Sequence, residues 1–126
     1  MIDNKDIYWL AGILEGEGCF TIQGHRDNMK WKAVRITLSM CDKDVVERAA
    51  ALMKGKIILF KAKNKDGRIR KVQYRIQICG KNAIGWMMTL HSLMGERRRG
   101  KIEDIISQWK ETRGRGWNFK PAVLIG

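Results

Sequence analysis

Two glycines four residues apart, inside a run of helix formers, constrain this chain more than any other feature. The stretch is Trp9-Leu10-Ala11-Gly12-Ile13-Leu14-Glu15-Gly16-Glu17-Gly18. Read as one helix, it places Gly12 and Gly16 on the same face and leaves that face almost without side-chain bulk. Each glycine costs about 1 kcal/mol relative to alanine, and the usual compensation is close approach by another backbone or a ligand. Faces of small residues let two helices touch at short range. Trp9, Leu10, Ile13 and Leu14 lie elsewhere around the helix, where they can anchor it in a core. Glu17 falls in the final turn, and Gly18 is placed to end the helix in a left-handed conformation.

A carboxylate at that end opposes the helix dipole, which is already partly negative there, and so invites a cation. Two copies packed glycine face to glycine face would bring both Glu17 side chains near a symmetry axis. A hard divalent metal could offset their repulsion. Glu15 lies about 200° around the helix from Glu17, so the two carboxylates do not converge on one ion, and Glu15 takes a supporting role.

The charge balance points to a partner. In 126 residues there are 25 Lys and Arg against 13 Asp and Glu, a net charge of +12, which suits a polyanion, with nucleic acid foremost. The length is that of about one domain with a core of its own. No apolar run approaches the roughly 20 residues of a spanning helix, and the opening Met-Ile-Asp-Asn-Lys-Asp lacks a signal-peptide pattern. An intracellular protein located with DNA is expected, without a membrane partner. Cys19, Cys41 and Cys79 have no paired short spacing, and the histidines are His25 and His91, so neither a disulfide framework nor a zinc module follows. The cysteines are expected to be small apolar or half-buried residues.

Asp3 or Asn4 can cap the first helix, with Asp6 in its first turn. After Gly18, Cys19–Gln23 and Lys32–Met40 alternate as half-buried strands, joined by a polar, basic tip that includes His25 and Arg26. Phe20, Ile22, Val34, Ile36, Leu38 and Met40 should face inward. Thr21, Gln23, His25, Arg35, Thr37 and Ser39 provide a polar, outward set with the chemistry of base-edge readers, although a solvated sheet face carries the same residue types, and Lys32 is a further candidate DNA contact. Asp42 starts a second helix, with Val45, Val46, Ala49, Leu52 and Met53 at helical spacing and Gly55 able to end it.

Strands at Ile57–Lys63 and Arg70–Cys79 follow, joined by Asn64-Lys65-Asp66-Gly67 as a hairpin turn. Val72, Tyr74, Ile76 and Ile78 share one face of the last strand, and Lys71, Gln73, Arg75 and Gln77 the other. Lys61, Lys63, Lys65, Arg68 and Arg70 surround the turn. Those near the tip would meet phosphates, and those on the strand face could reach bases. A third helix opens at Lys81 or Asn82 and carries Ile84, Met87, Met88, Leu90 and Met94 as core, with Trp86 closing over it. The basic knot Glu96-Arg97-Arg98-Arg99-Gly100-Lys101 is expected to precede a fourth helix marked by Ile102, Ile105, Ile106 and Trp109. Cations at the positive end of a helix dipole are poorly placed unless an anion such as phosphate relieves them. The division expected is one domain over 1–112 and a basic, glycine- and aromatic-containing tail over 113–126, either a nucleic-acid arm or a segment packed on the fold.

Leu10–Gly18 reads Leu-Ala-Gly-Ile-Leu-Glu-Gly-Glu-Gly and resembles, position by position, the signature of the LAGLIDADG homing endonucleases, with Glu15 and Glu17 at its two acidic positions. The order helix, hairpin, helix, hairpin, helix, helix is also that of the family's core module. The resemblance covers nearly the whole chain, roughly Ile7 to Thr112. It implies an α+β fold, helix-strand-strand-helix-strand-strand-helix(-helix), with a four-stranded antiparallel saddle over duplex DNA. A single motif implies a homodimer joined through Ala11, Gly12 and Gly16, with a near-palindromic target.

The activity implied is an intron-homing, site-specific double-strand cleavage by metal-assisted phosphodiester hydrolysis. Glu17 and the Gly16 carbonyl would hold Mg²⁺ or Mn²⁺, and Ca²⁺ would support binding without cleavage. Arg98 and Lys101 fall in the region where the family places basic residues near the scissile phosphate. Asp42 stands where some relatives have glutamine, so it either tunes the water network or merely caps a helix. The alternative is a non-cleaving protein on the same scaffold, an intron-RNA splicing cofactor or a DNA-binding regulator.

Overall fold

The computed structural model describes residues 2–25 and 28–113, with the side chains at 24, 25, 28–32, 62, 69, 70, 112 and 113 left aside. The first helix starts at a formed cap: Asp3 Oδ1 accepts the Asp6 N–H at 2.9 Å. That bond holds the Asp3 carboxyl below its ordinary pKa. Helix α1 then runs Asn4–Glu17. Strands β1 (Gly18–His25) and β2 (Asn28–Met40) form one hairpin, and α2 (Lys43–Met53) follows. Strands β3 (Lys56–Lys63) and β4 (Ile69–Cys79) form the second hairpin. The order ends with α3 (Gly80–Leu90), a 3₁₀ turn at His91–Leu93 and α4 (Glu96–Arg113).

All four strands join one antiparallel sheet in the order β1-β2-β4-β3. The class is α+β, as the element order leads one to expect. The two hairpins meet only where Arg35–Met40 pair with Cys79–Tyr74. Each therefore projects past the other in the opposite direction, and the sheet presents a longer surface than either hairpin alone.

Register decides the faces, because directly paired residues lie on the same side of a sheet. Phe20 pairs with Ile36, Ile36 with Ile78, and Leu38 with Ile76, and all of them are buried. The helices cover this face. Ile7, Leu10 and Leu14 of α1, Val46, Ala49 and Met53 of α2, Ile84, Met87 and Leu90 of α3, and Ile102, Ile105 and Trp109 of α4 join the same core. Trp86 and Met94 are buried there too, so the methionines fill core space as expected. Asn82 Nδ2 donates to the Met53 carbonyl at 3.1 Å, which ties α3 to the last turn of α2. Arg48 ties α2 to α1: it reaches Asp6 at 3.3 Å and lies 4.1 Å from the centre of the Trp9 ring.

Four local expectations are corrected. Gly18 is not left-handed: at φ −80°, ψ 163° it leads straight from α1 into β1 while its N–H closes on the Leu14 carbonyl. A Cβ at Gly18 would lie 2.7 Å from that oxygen, so the glycine is required by crowding and not by handedness. Helix α2 ends with Lys54 in the left-handed region, φ 59°, and Gly55 then donates its N–H to Ala50 O at 2.9 Å. Asp42 occupies the cap position of α2 but its side chain makes no cap bond. The basic knot lies inside α4, which already begins at Glu96, since Arg and Lys are good helix formers once a first turn is secured.

The turn of the second hairpin follows its sequence. Gly67 takes φ 83°, Asn64 N–H reaches Arg68 O at 2.7 Å, and Asp66 Oδ1 accepts the Arg68 N–H at 3.1 Å. The tip residue Arg26 and the expected tail from 114 onward lie outside the described residues. Among those described, no helix is long and apolar enough to cross a membrane.

Candidate active site and nucleic-acid interface

Helix α1 turns a bare face outward. Gly12 and Gly16 are exposed, and a Cβ built on either would meet nothing within 4 Å among the described residues. Ala11 is at 5% exposure and points into the core, so it is Gly12 and Gly16, with the exposed Tyr8, that form the open side. Glu17 is exposed as the last residue of the helix, about 100° around it from Gly16. The helix ladder closes with Gly18 N–H on Leu14 O, so the carbonyl of Gly16 lies past the last such bond.

Glu15 faces elsewhere. Its Oε2 accepts the Gly95 N–H at 3.3 Å, and a Cβ at Gly95 would lie 2.7 Å from Oε1. Gly95 stands just before α4, and its carbonyl takes the Arg99 N–H at 2.9 Å. A carboxylate therefore rests at the positive end of α4, the helix that carries Arg97, Arg98 and Arg99 in its first turns. Glu15→Ala is expected to lower stability by about 1 kcal/mol, read as a fall in the thermal unfolding midpoint. An unchanged midpoint would show that α4 is placed without this contact.

Two residues beyond Glu17 a cleft of about 570 Å³ opens between β1 and α4, lined by Cys19, Phe20, Thr21, Arg98, Lys101 and Asp104 among others. Arg98 and Lys101 thus come together at the start of β1. The Arg98 guanidinium lies 5.7 Å from the centre of the Phe20 ring. Its Nε is buried without a protein partner among the described residues. Asp42 does not line this cleft. It is exposed beyond the end of β2, which is the end that pairs with the start of β1.

The face of the sheet that no described helix covers carries the expected polar set in cross-strand rows. Thr21 pairs with Arg35 and Arg35 with Cys79; Thr37 pairs with Gln77, and Ser39 with Arg75. Gln23 lies farther out on β1, Gln73 and Lys71 farther along β4. Lys61 pairs with Val72, on the other side of the sheet, and does not share the face of Arg75. Lys63 and Arg68 are exposed near the second turn. The side chains of His25, Lys32 and Arg70 lie outside the described ones.

Register adds residues that alternation along the chain did not reveal. Lys56 pairs with Gln77, Ile58 with Arg75 and Phe60 with Gln73, which places all three on the polar face. All three cysteines are exposed, contrary to expectation. For Cys19 and Cys79 the period of two gives the reason, since they occupy outward positions.

The donor set at Glu17 suits a hard divalent cation only in part. A carboxylate and last-turn carbonyl oxygens are the right chemistry at the negative end of a helix. Among the described residues, however, no three His, Cys, Asp or Glu side chains gather in a metal-binding group. One copy of the chain can thus supply only part of a coordination shell of about six oxygens.

No protein-family model matches the sequence, and no curated protein matches it. Solved structures do match the fold. The group I intron-encoded homing endonuclease I-CeuI, complexed with DNA, aligns at TM-score 0.57 and 11% identity over 96% of this chain and 72% of that one. The LAGLIDADG meganuclease I-AabMI, bound to uncleaved DNA, aligns at TM-score 0.56 and 23% identity over 80% of this chain, which spans only 34% of that one. The homing endonuclease I-CvuI, in complex with a DNA target in the presence of Mg, aligns at TM-score 0.54 and 15% identity over 88% and 74% of the two chains. With the exposed glycine face, the acidic helix end and the uncovered sheet, these alignments identify the chain's architecture as the LAGLIDADG homing endonuclease fold.

Proposed function

We propose that this chain is a site-specific DNA endonuclease that cuts both strands of a near-palindromic duplex as a homodimer. One observation carries the reading: the Gly12–Gly16 face of α1 is exposed, open where a Cβ would meet nothing among the described residues, and the helix ends one residue later at the exposed Glu17. Two interior glycines weaken a helix by about 1 kcal/mol each, a cost that a second copy of α1 packed against them can offset. Two-fold packing gives one Glu17 from each copy to a shared acidic centre, which is the complement that a single chain lacks.

In that arrangement Glu17 and the Gly16 carbonyl would hold Mg²⁺ or Mn²⁺. Such a cation, when bound, supplies charge neutralisation at the scissile phosphate and makes water more acidic. The chain's own residues do the rest. Lys101 and Arg98, at the cleft beside β1, are placed to hold the phosphate backbone, and the buried Arg98 Nε gains an acceptor when a phosphate oxygen enters. Glu15 keeps α4, and with it both cations, in position. The uncovered sheet face spreads its polar rows along the groove, and the net charge of +12 draws the duplex in. Asp42, outside the cleft, is assigned to solvent order at the periphery.

The test is cleavage of a randomised duplex-DNA library by the wild-type protein with Mg²⁺ and with Ca²⁺. A near-palindromic site cut with Mg²⁺, and bound but uncut with Ca²⁺, is the expected result. Enrichment by binding without cutting in Mg²⁺ would replace this reading with that of a regulator. Failure to enrich any duplex would direct the search to folded intron RNA.

A further inference from the structure

On the uncovered sheet face one arginine is braced before any ligand arrives. Ser39 of β2, Arg75 of β4 and Ile58 of β3 form one row across three strands. Arg75 Nε donates to Ser39 Oγ at 2.8 Å. From the neighbouring row, Phe60 lies under the guanidinium, with the carbon of that group 4.8 Å from the ring centre. Phe60 is 41% exposed, a large apolar side chain on a face that is otherwise mostly polar. Its place there is accounted for by the guanidinium stacked on it.

These two contacts act on different freedoms of Arg75. The bond to Ser39 uses the Nε donor and sets the rotation of the group within its plane. Stacking on Phe60 sets the tilt of the plane. What remains is the pair of terminal nitrogens, a rigid fork of donors. A phosphate needs no such bracing, since a mobile cation meets it equally well, whereas a base edge is read only by donors held in a plane. Arg35, on the same face, shows the contrast: it is exposed, and no protein hydrogen bond fixes it among the described residues.

We propose that Arg75 is a guanine-reading residue, with Ser39 and Phe60 as its positioning residues. This rests on the reading of the sheet as a duplex-binding face. In the major groove guanine offers two acceptors, O6 and N7, at the spacing of the fork. Adenine places a donor beside its N7, cytosine offers a donor, and thymine a single acceptor beside a methyl group. A fork of donors fixed in advance therefore selects guanine, and little conformational freedom is left to lose on binding.

The experiment is a binding selection from a randomised duplex-DNA library in Ca²⁺, with the full wild-type chain beside Arg75→Lys and Ser39→Ala. The wild type is expected to enrich a guanine at one position of each half-site. Replacing that guanine by adenine should weaken its binding about tenfold or more. Arg75→Lys, which keeps the charge and donors to guanine but loses the planar fork, should enrich the same motif with a weaker preference for that guanine than the wild type. Ser39→Ala keeps both the arginine and the core face of the sheet, and should relax the same position partially.

An enriched motif that keeps every guanine at wild-type strength in both variants overturns the assignment to Arg75 while leaving the duplex-binding reading intact. Enrichment of nothing by the wild type overturns both. Should Arg75→Lys fail to fold, the Ser39→Ala selection decides alone: a relaxed guanine supports the assignment, and an unrelaxed one overturns it.

Discussion

Glu17→Gln is expected to remove Mg²⁺-dependent cleavage, with a fall of roughly a thousandfold or more, while affinity for the duplex stays within about tenfold. The two effects separate because they arise from different properties of the side chain. Charge stabilisation by a bound divalent cation is worth several kcal/mol in the transition state, and each 1.36 kcal/mol is tenfold in rate. The amide keeps the shape of the carboxylate but is a far weaker ligand. Binding, in contrast, is proposed to be spread over the sheet face and the basic cleft, and loss of one negative charge beside phosphates would not oppose it. The fold should not suffer either. Glu17 is exposed at the end of α1, and its charge opposes the helix dipole there. Cleavage time courses, binding isotherms in Ca²⁺ and a thermal melt of the same protein check the three parts. Retained cleavage would remove Glu17 from the metal site, and loss of folding would make it architectural.

The sequence was most legible where a local pattern and a tertiary role coincide. Alternation in Lys32–Met40 placed Val34, Ile36 and Leu38 inside, and all three are buried on the helix-covered face. The spacing of Ile102, Ile105 and Trp109 marked the buried stripe of α4 equally well. Asp3 capped α1 as its residue type suggests. Legibility failed where the deciding partner is distant in sequence. Ile57-Ile58-Leu59-Phe60 has no alternation, so only the register with β4 assigns Ile58 and Phe60 to the polar face and Ile57 and Leu59 to the other.

The candidate site divides in the same way. The exposure of Gly12, Gly16 and Glu17 was readable because interior glycines and a last-turn carboxylate are locally unfavourable in a helix, a pattern that calls for a partner. The role of Glu15 was not, since its contact, Gly95, is 80 residues away. Nor was the bracing of Arg75, which needs Ser39 36 residues upstream and Phe60 on a third strand. The basic knot was legible as chemistry and misplaced as structure. Its cations lie on α4 itself, which is how Arg98 and Lys101 come to line a cleft with the start of β1.

Gly12→Leu should convert the proposed dimer into a monomer without unfolding it, and the open space around Gly12 makes the result sharp. Within one chain a Cβ at this position meets nothing within 4 Å among the described residues, so a larger side chain creates no clash with the described core. Replacing an exposed, interior helical glycine should instead raise the intrinsic stability of α1 by a few tenths to about 1 kcal/mol. Between two copies the outcome reverses. Helices that touch through glycines cannot accept a leucine at the contact without moving apart, and an apolar side chain inserted into close packing costs about 1–3 kcal/mol or more. The two-fold axis applies that cost twice. At micromolar concentration the variant is expected to elute and scatter as a monomer of unchanged or higher thermal midpoint, and to lose double-strand cleavage because neither copy holds a complete acidic centre. Gly16→Leu, one turn along the same face and equally open, should act alike. If Gly12→Leu instead remains a dimer that cuts both strands, the copies join through another surface and Glu17 does not meet its counterpart across α1.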